Sequence, residues 1–83
     1  MKLLLIEDEK ELALSIQKYL THKDFVCEWV YKKQDAIEKI SMYEYDCILL
    51  DLMLPDGNGF EILKEIKDQN KSEGIIIISA KET

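Results

Sequence analysis

Cys47-Ile48-Leu49-Leu50-Asp51-Leu52-Met53-Leu54-Pro55-Asp56-Gly57-Asn58-Gly59 decides how the rest of the chain is read. An uncharged apolar run ends abruptly at Asp51 and gives way, after three more apolar residues, to a cluster of turn formers. A run bounded in this way predicts a strand buried on both faces, as in a parallel sheet. Its carboxylate is then delivered to the rim of the sheet. In open α/β sheets the chemistry gathers at the carboxyl ends of strands, beside a topological switch point. Asp51 is therefore the candidate reactive residue, with partners expected at the carboxyl ends of the other strands.

Working outward, Lys2-Leu3-Leu4-Leu5-Ile6 repeats the same grammar and ends in Glu7-Asp8-Glu9. Leu12, Ile16, Tyr19 and Leu20 then recur on one helical face, predicting a helix from about Lys10 to Thr21. Phe25 to Val30 is rich in aromatic and β-branched residues and reads as a second strand, with Glu28 suiting a sheet edge. A second helix is expected from about Asp35 to Tyr43, and a third from Phe60, carried by Ile62, Leu63 and Ile66. Ile75 to Ile78 reads as a fourth buried strand, with Ser79 at its carboxyl end. Strict alternation of strand and helix predicts a parallel sheet with right-handed crossovers and helices on both faces.

At 83 residues the chain makes at most one small domain, and its composition (47% hydrophobic, 34% charged) is that of a globular protein. A net charge of −6 argues against this segment gripping nucleic acid or anionic lipid by itself. It is compatible with a carboxylate cluster that needs a cation. Cys27 and Cys47 both fall in apolar runs and read as small buried hydrophobes. Neither a signal peptide nor a membrane span is legible, so a cytoplasmic location and no membrane partner are expected. His22 reads as solvated surface. Trp29 and the tyrosines read as core and rim packing, because no basic stripe accompanies them.

Three strand ends thus present polar groups: Glu7 and Asp8, then Asp51, then Ser79. If the first and third strands are neighbours, their carboxyl ends lie about 5 Å apart. Three carboxylates crowded there repel one another and raise at least one pKa. A hard divalent cation relieves this, and Mg²⁺ favours a few carboxylates together with a phosphate oxygen. A magnesium-dependent phosphoryl site is the economical interpretation.

Taken together, Leu4 to Glu9, Ile48 to Gly59 and Ile76 to Ala80 resemble the receiver domain of two-component response regulators. The details look most like the transcription-regulator subfamily with winged-helix output domains. The resemblance implies a flavodoxin-like open parallel sheet with strand order 2-1-3-4. It makes residues 1–83 the N-terminal part of a receiver domain, lacking the fourth helix, fifth strand, fifth helix and output domain. It assigns Asp51 as phosphoacceptor, taking a phosphoryl group from a sensor histidine kinase. Asp8 matches the direct Mg²⁺ ligand, Glu7 an acid acting through a metal-bound water, and Met53 the ligand through its backbone carbonyl. Ser79 matches the switch hydroxyl.

The family's phosphoryl-contacting Lys and switch aromatic lie on elements beyond this stretch, and Lys81 does not match that Lys. The positions of Met53 and Lys81 modulate phosphate loss in the family. The resemblance implies no enzyme beyond the chain's own phosphorylation and dephosphorylation, and DNA contact only through an absent output domain. Self-association is expected, because Ile75 to Ile78 would form an open sheet edge. Two other classes stay open. One is a phosphorylation-independent interaction module. The other is a magnesium-dependent phosphatase with Asp51 as nucleophile, although such enzymes carry a second acid two residues on, where this chain has Met53.

Overall fold

The computed structural model describes residues 1–69 and 74–78. Their elements run β1 (Lys2–Ile6), α1 (Lys10–His22), β2 (Val26–Val30), α2 (Lys33–Met42), β3 (Cys47–Leu50), β4 (Met53–Leu54), β5 (Gly57–Asn58), α3 (Gly59–Asp68) and β6 (Gly74–Ile77). The main sheet has the order β2-β1-β3-β6, all parallel. Counting only its own strands, this is the expected 2-1-3-4. The chain steps to one side of β1 to lay down β2, then crosses back to lay down β3 on the other side. With right-handed crossovers, that reversal puts helices on opposite faces and opens a crevice between the carboxyl ends of β1 and β3.

Two cores result. On one face α2 and α3 bury Ala36, Ile40, Ile62 and Ile66 against Leu4, Ile6, Ile48 and Leu50. On the other, Ala13 of α1 packs with Leu5 and Cys27, flanked by Ile16, Leu20, Trp29 and Leu49. Alternate residues of β1 thus feed opposite cores, which is why its apolar run is continuous. Cys27 and Cys47 pair with Leu3 from opposite sides, two strand spacings apart, and both are free thiols.

Several boundaries differ from the expectation. Helix α1 runs one residue further, to His22, and closes on a left-handed residue. Asp24 has φ 69°, and the Phe25 N–H reaches back to the Leu20 carbonyl at 3.0 Å. This is a Schellman-type stop with Asp in the place more often taken by Gly. Helix α2 begins at Lys33 rather than about Asp35, because its first donors are capped from a distance. Its own N-cap residue, Lys32, gives no side-chain cap. Instead the Asp56 carboxylate accepts from the Lys33 N–H (2.6 Å) and the Gln34 N–H (3.2 Å).

The segment after Asp51, expected from the sequence to be a loop, holds a small hairpin. Met53 pairs with Asn58 and Leu54 with Gly57, antiparallel, closing over Pro55 and Asp56. The hairpin feeds directly into α3, whose N-cap Asn58 accepts from the Phe60 N–H at 3.0 Å. Ser79 and Lys81 lie outside the described residues.

Candidate functional site

The paired register of β1 with β3 ends at Ile6↔Leu50, so Glu7 and Asp51 are the next residues out of two adjacent strands. Both are held by the sheet at the main chain. The Glu7 N–H donates to the Val30 carbonyl (3.1 Å) and the Asp51 N–H to the Ile6 carbonyl (2.9 Å). Both side chains are buried, at 3% and 4% exposure, and they are the only buried charged residues among those described. Asp8, one residue further, is exposed. Carboxylate oxygens of Glu7, Asp8 and Asp51 all lie within 4.8 Å of one another. The structure therefore brings together three of the expected site residues.

Burial first, and then the neighbouring Asp51 charge, push the Glu7 carboxyl up to about 7. One interaction opposes them: the Glu9 N–H donates to Glu7 Oε2 at 2.9 Å. Desolvation and like charge both disfavour a second anion here. A proton resolves the crowding, and so does a cation. All three donors are hard oxygens, two of them inside the protein and one facing solvent. That set suits a hard divalent ion that retains several waters, and gives nothing to a soft metal. The residues present therefore fit Mg²⁺.

Close approach of the following loop fixes Asp51 from the other side. Gly59 opens α3 while its N–H donates to the Leu52 carbonyl at 2.8 Å. A Cβ at this position would lie 2.9 Å from the Asp51 carbonyl oxygen and 2.9 Å from Leu52 Cα. Only a residue without a side chain lets the helix start this close to the Asp51 backbone. Met53 opens β4, two residues beyond Asp51.

Many known proteins are similar to this chain. The response regulator receiver domain family matches residues 3–83. The chain belongs to that family. Response regulator ArlR of Staphylococcus aureus is 44% identical over 80 residues, which is 96% of this chain and 36% of ArlR. The chain thus spans about a third of the length of the curated relatives it matches. A two-component response regulator from Clostridium difficile superposes with TM-score 0.91 at 26% identity, covering 100% of this chain and 68% of that one. The signal receiver domain of a putative LuxO repressor from Vibrio parahaemolyticus gives 0.91 at 30% identity, over 99% and 63%. The chain is a two-component response regulator receiver domain with the flavodoxin-like sheet, and no helix among the described residues is long and apolar enough to cross a membrane.

Two residues that sequence patterning does not single out hold the backbone of this receiver in place. Trp29, read only as packing, donates its indole N–H to the Glu7 carbonyl at 2.8 Å. Asp56, read as a turn former, ties the loop after Asp51 to the start of α2. Beside it, the Lys33 ammonium bridges to Glu61 Oε1 of α3 at 2.9 Å. Each of these contacts spans more than twenty residues of sequence, and no local pattern announces them.

Proposed function

We propose that this receiver takes a phosphoryl group onto Asp51 from a phosphohistidine of a sensor histidine kinase, with Mg²⁺ held at the acidic cluster. The observation that carries the reading is the convergence of Glu7, Asp8 and Asp51 within 4.8 Å at the carboxyl ends of adjacent strands. A carboxylate oxygen of Asp51 attacks phosphorus in line, the bond from phosphorus to the histidine nitrogen breaks, and an acyl phosphate forms. The nitrogen keeps the bonding electron pair, and with a proton on its other ring nitrogen the histidine leaves as neutral imidazole. Asp8 and Asp51, with the Met53 carbonyl, would hold the ion, and Glu7 would act through one of its waters. When bound, Mg²⁺ supplies charge neutralisation for the transferring phosphoryl oxygens. The chain's own part is positioning: a nucleophile fixed by the sheet at its N–H and by Gly59 at its carbonyl side.

Ser79 would turn toward the acyl phosphate as the switch hydroxyl. Residues 1–83 would form the N-terminal part of the receiver, and the parent protein would act as a DNA-binding transcription regulator through a separate output domain. The similarity to ArlR over 36% of that protein supports a longer parent.

Incubation of the full-length protein with acetyl phosphate and Mg²⁺ tests the reading. One phosphoryl group labile to alkali and hydroxylamine is expected on the wild type and none on Asp51→Asn. Asp8→Ala should slow transfer by orders of magnitude and weaken Mg²⁺ binding. Stoichiometric acyl phosphate on the Asp51→Asn protein sinks the assignment of the nucleophile. Signalling by partner binding alone predicts that Asp51→Asn keeps full signalling output, and is separated by the same variant.

A further inference from the structure

The geometry points to Trp29 as a positioning residue for the acidic cluster, acting through its indole N–H on the Glu7–Asp8 peptide. This role presupposes the Mg²⁺ site proposed above and belongs to a residue outside that site. The paired register of β1 with β2 ends at Ile6↔Val30, and one further backbone contact, from the Glu7 N–H to the Val30 carbonyl, extends it. Beyond that point the chain leaves β2 through Tyr31 and Lys32 to begin α2. The Glu7 carbonyl therefore lies where the strand ladder runs out, and a side chain rather than a neighbouring strand supplies its donor. Trp29 Nε1 meets it at 2.8 Å, from 22 residues away.

The consequence falls on Asp8. The Glu7 carbonyl and the Asp8 nitrogen belong to one planar peptide, so holding the oxygen fixes the orientation of the whole unit. Asp8 is exposed and lies past the end of the strand, whereas Glu7 and Asp51 are pinned by the sheet. It is the one acid of the three whose direction the sheet does not already set. The Trp29 ring is itself well held. It packs against the Leu5, Ala13 and Cys27 cluster beneath, and its centroid lies 6.1 Å from that of Tyr31. A donor on a rigid, half-buried ring fixes a peptide better than a mobile side chain or water does, because little rotamer freedom remains to be lost.

Trp29 is the only tryptophan in the chain, so biosynthetic replacement of tryptophan alters this position alone. Incorporating 3-benzothienylalanine keeps the ring shape and exchanges the N–H donor for sulfur. Mg²⁺ is titrated into the full chain, following chemical shifts of the Asp8 and Asp51 amides, and thermal unfolding is recorded separately without Mg²⁺. One net hydrogen bond corresponds to roughly two- to tenfold in an equilibrium constant. The analogue should therefore bind Mg²⁺ roughly two- to tenfold more weakly. 5-Fluorotryptophan, which keeps the donor, should restore wild-type affinity. A purely structural role would shift unfolding and leave the affinity of the folded protein unchanged. Affinity of the sulfur analogue within twofold of wild type overturns the inference while leaving the metal site standing. A wild-type chain that takes up no Mg²⁺ overturns the metal-site reading and this inference with it. Should the analogue fail to fold, Trp29→Phe carries the same outcomes.

Discussion

Gly59→Ala sets two opposed effects against each other at the residue that opens α3. Ala is the better helix former by about 0.8–1 kcal/mol, and it also restricts the unfolded chain. On those grounds alone the substitution stabilises. The structure opposes this through space. The new methyl would meet the Asp51 carbonyl oxygen and Leu52 Cα at 2.9 Å, with Leu52 Cδ2 at 3.0 Å. Two of these three are backbone atoms, which cannot swing aside as the end of a flexible side chain can. Both belong to the segment between β3 and β4, which the sheet and the hairpin hold at its two ends.

Forcing a methyl into a well-packed site costs about 1–3 kcal/mol. Subtracting the helix preference leaves a net loss of roughly 0–2 kcal/mol, with about 1 kcal/mol as the central expectation. For a chain of this size that lowers Tm by about 4–8 °C per kcal/mol. Urea unfolding at low micromolar concentration, with and without Mg²⁺, measures the effect. Relief of the contact must displace the Asp51 main chain, so the variant should also lose Mg²⁺ affinity relative to wild type. A Gly59→Ala protein more stable than wild type, with unchanged Mg²⁺ affinity, would refute the claim that this glycine is there for close approach.

Tyr45→Phe removes a 2.6 Å hydrogen bond from the buried phenol to Glu28 Oε1 and should cost about 1.5–3 kcal/mol in thermal unfolding. That bond is also the main reason the Glu28 carboxyl sits below its ordinary 4.5, with Lys2 and Lys39 assisting. A depressed carboxyl stabilises the fold above pH 4.5 and loses that contribution as pH falls through its lowered native value. The wild-type stability curve should therefore decline on the acid side, and Tyr45→Phe should flatten that limb; parallel curves would dissociate the bond from the titration. Asp56→Ala should speed hydrogen exchange at the Lys33 and Gln34 amides, whereas Asp56→Asn, still a good cap, should largely preserve protection. Equal exchange in both variants would show that α2 does not depend on this cap. In isolation the 83-residue chain should sediment as more than a monomer at micromolar concentration, because β6 is a sheet edge among the described strands with Ile76 and Ile77 about half exposed. A compact monomer would show that this edge is self-sufficient.

What could be read from the sequence divides along a physical line. The apolar runs of β1 and β3 each end on an acid, and sheet topology alone then brings Glu7 and Asp51 side by side. Nothing more than period, length and the order of elements was needed. The early start of α2 was missed because its capping residue lies 23 positions downstream, on the far side of β3. The β4–β5 hairpin was missed because two-residue strands carry no alternation to detect. For Trp29 the packing expected from its sequence context is half of its role. Its ring does pack against the α1-side core, but its single polar atom has a separate assignment that only the fold reveals. Amphipathic side chains are where a pattern-based reading stops short, since the pattern records the apolar body and not the polar tip.

The placement of the two buried acids also explains why this site must do something with its charge. In most proteins, crowded carboxylates relax by moving apart into water. Here Glu7 and Asp51 cannot, because each is anchored at its N–H to a neighbouring strand within one residue of a paired ladder. The next strand tightens this further, since the Ile78 N–H donates to the Leu50 carbonyl immediately before Asp51. Burial first, and then repulsion from Asp51, lift Glu7 to about 7, so an unfavourable interaction is built into a paired part of the sheet. As pH rises from 4.5 through 7 the bare fold loses stability through this group, because the native state holds a proton that the unfolded chain has released. A divalent cation competes for the same electrons and gains affinity over the same interval. The sheet that specifies the fold thus also holds open a demand for positive charge at the residue proposed to receive the phosphoryl group, while Asp8 lies exposed beyond the paired strand.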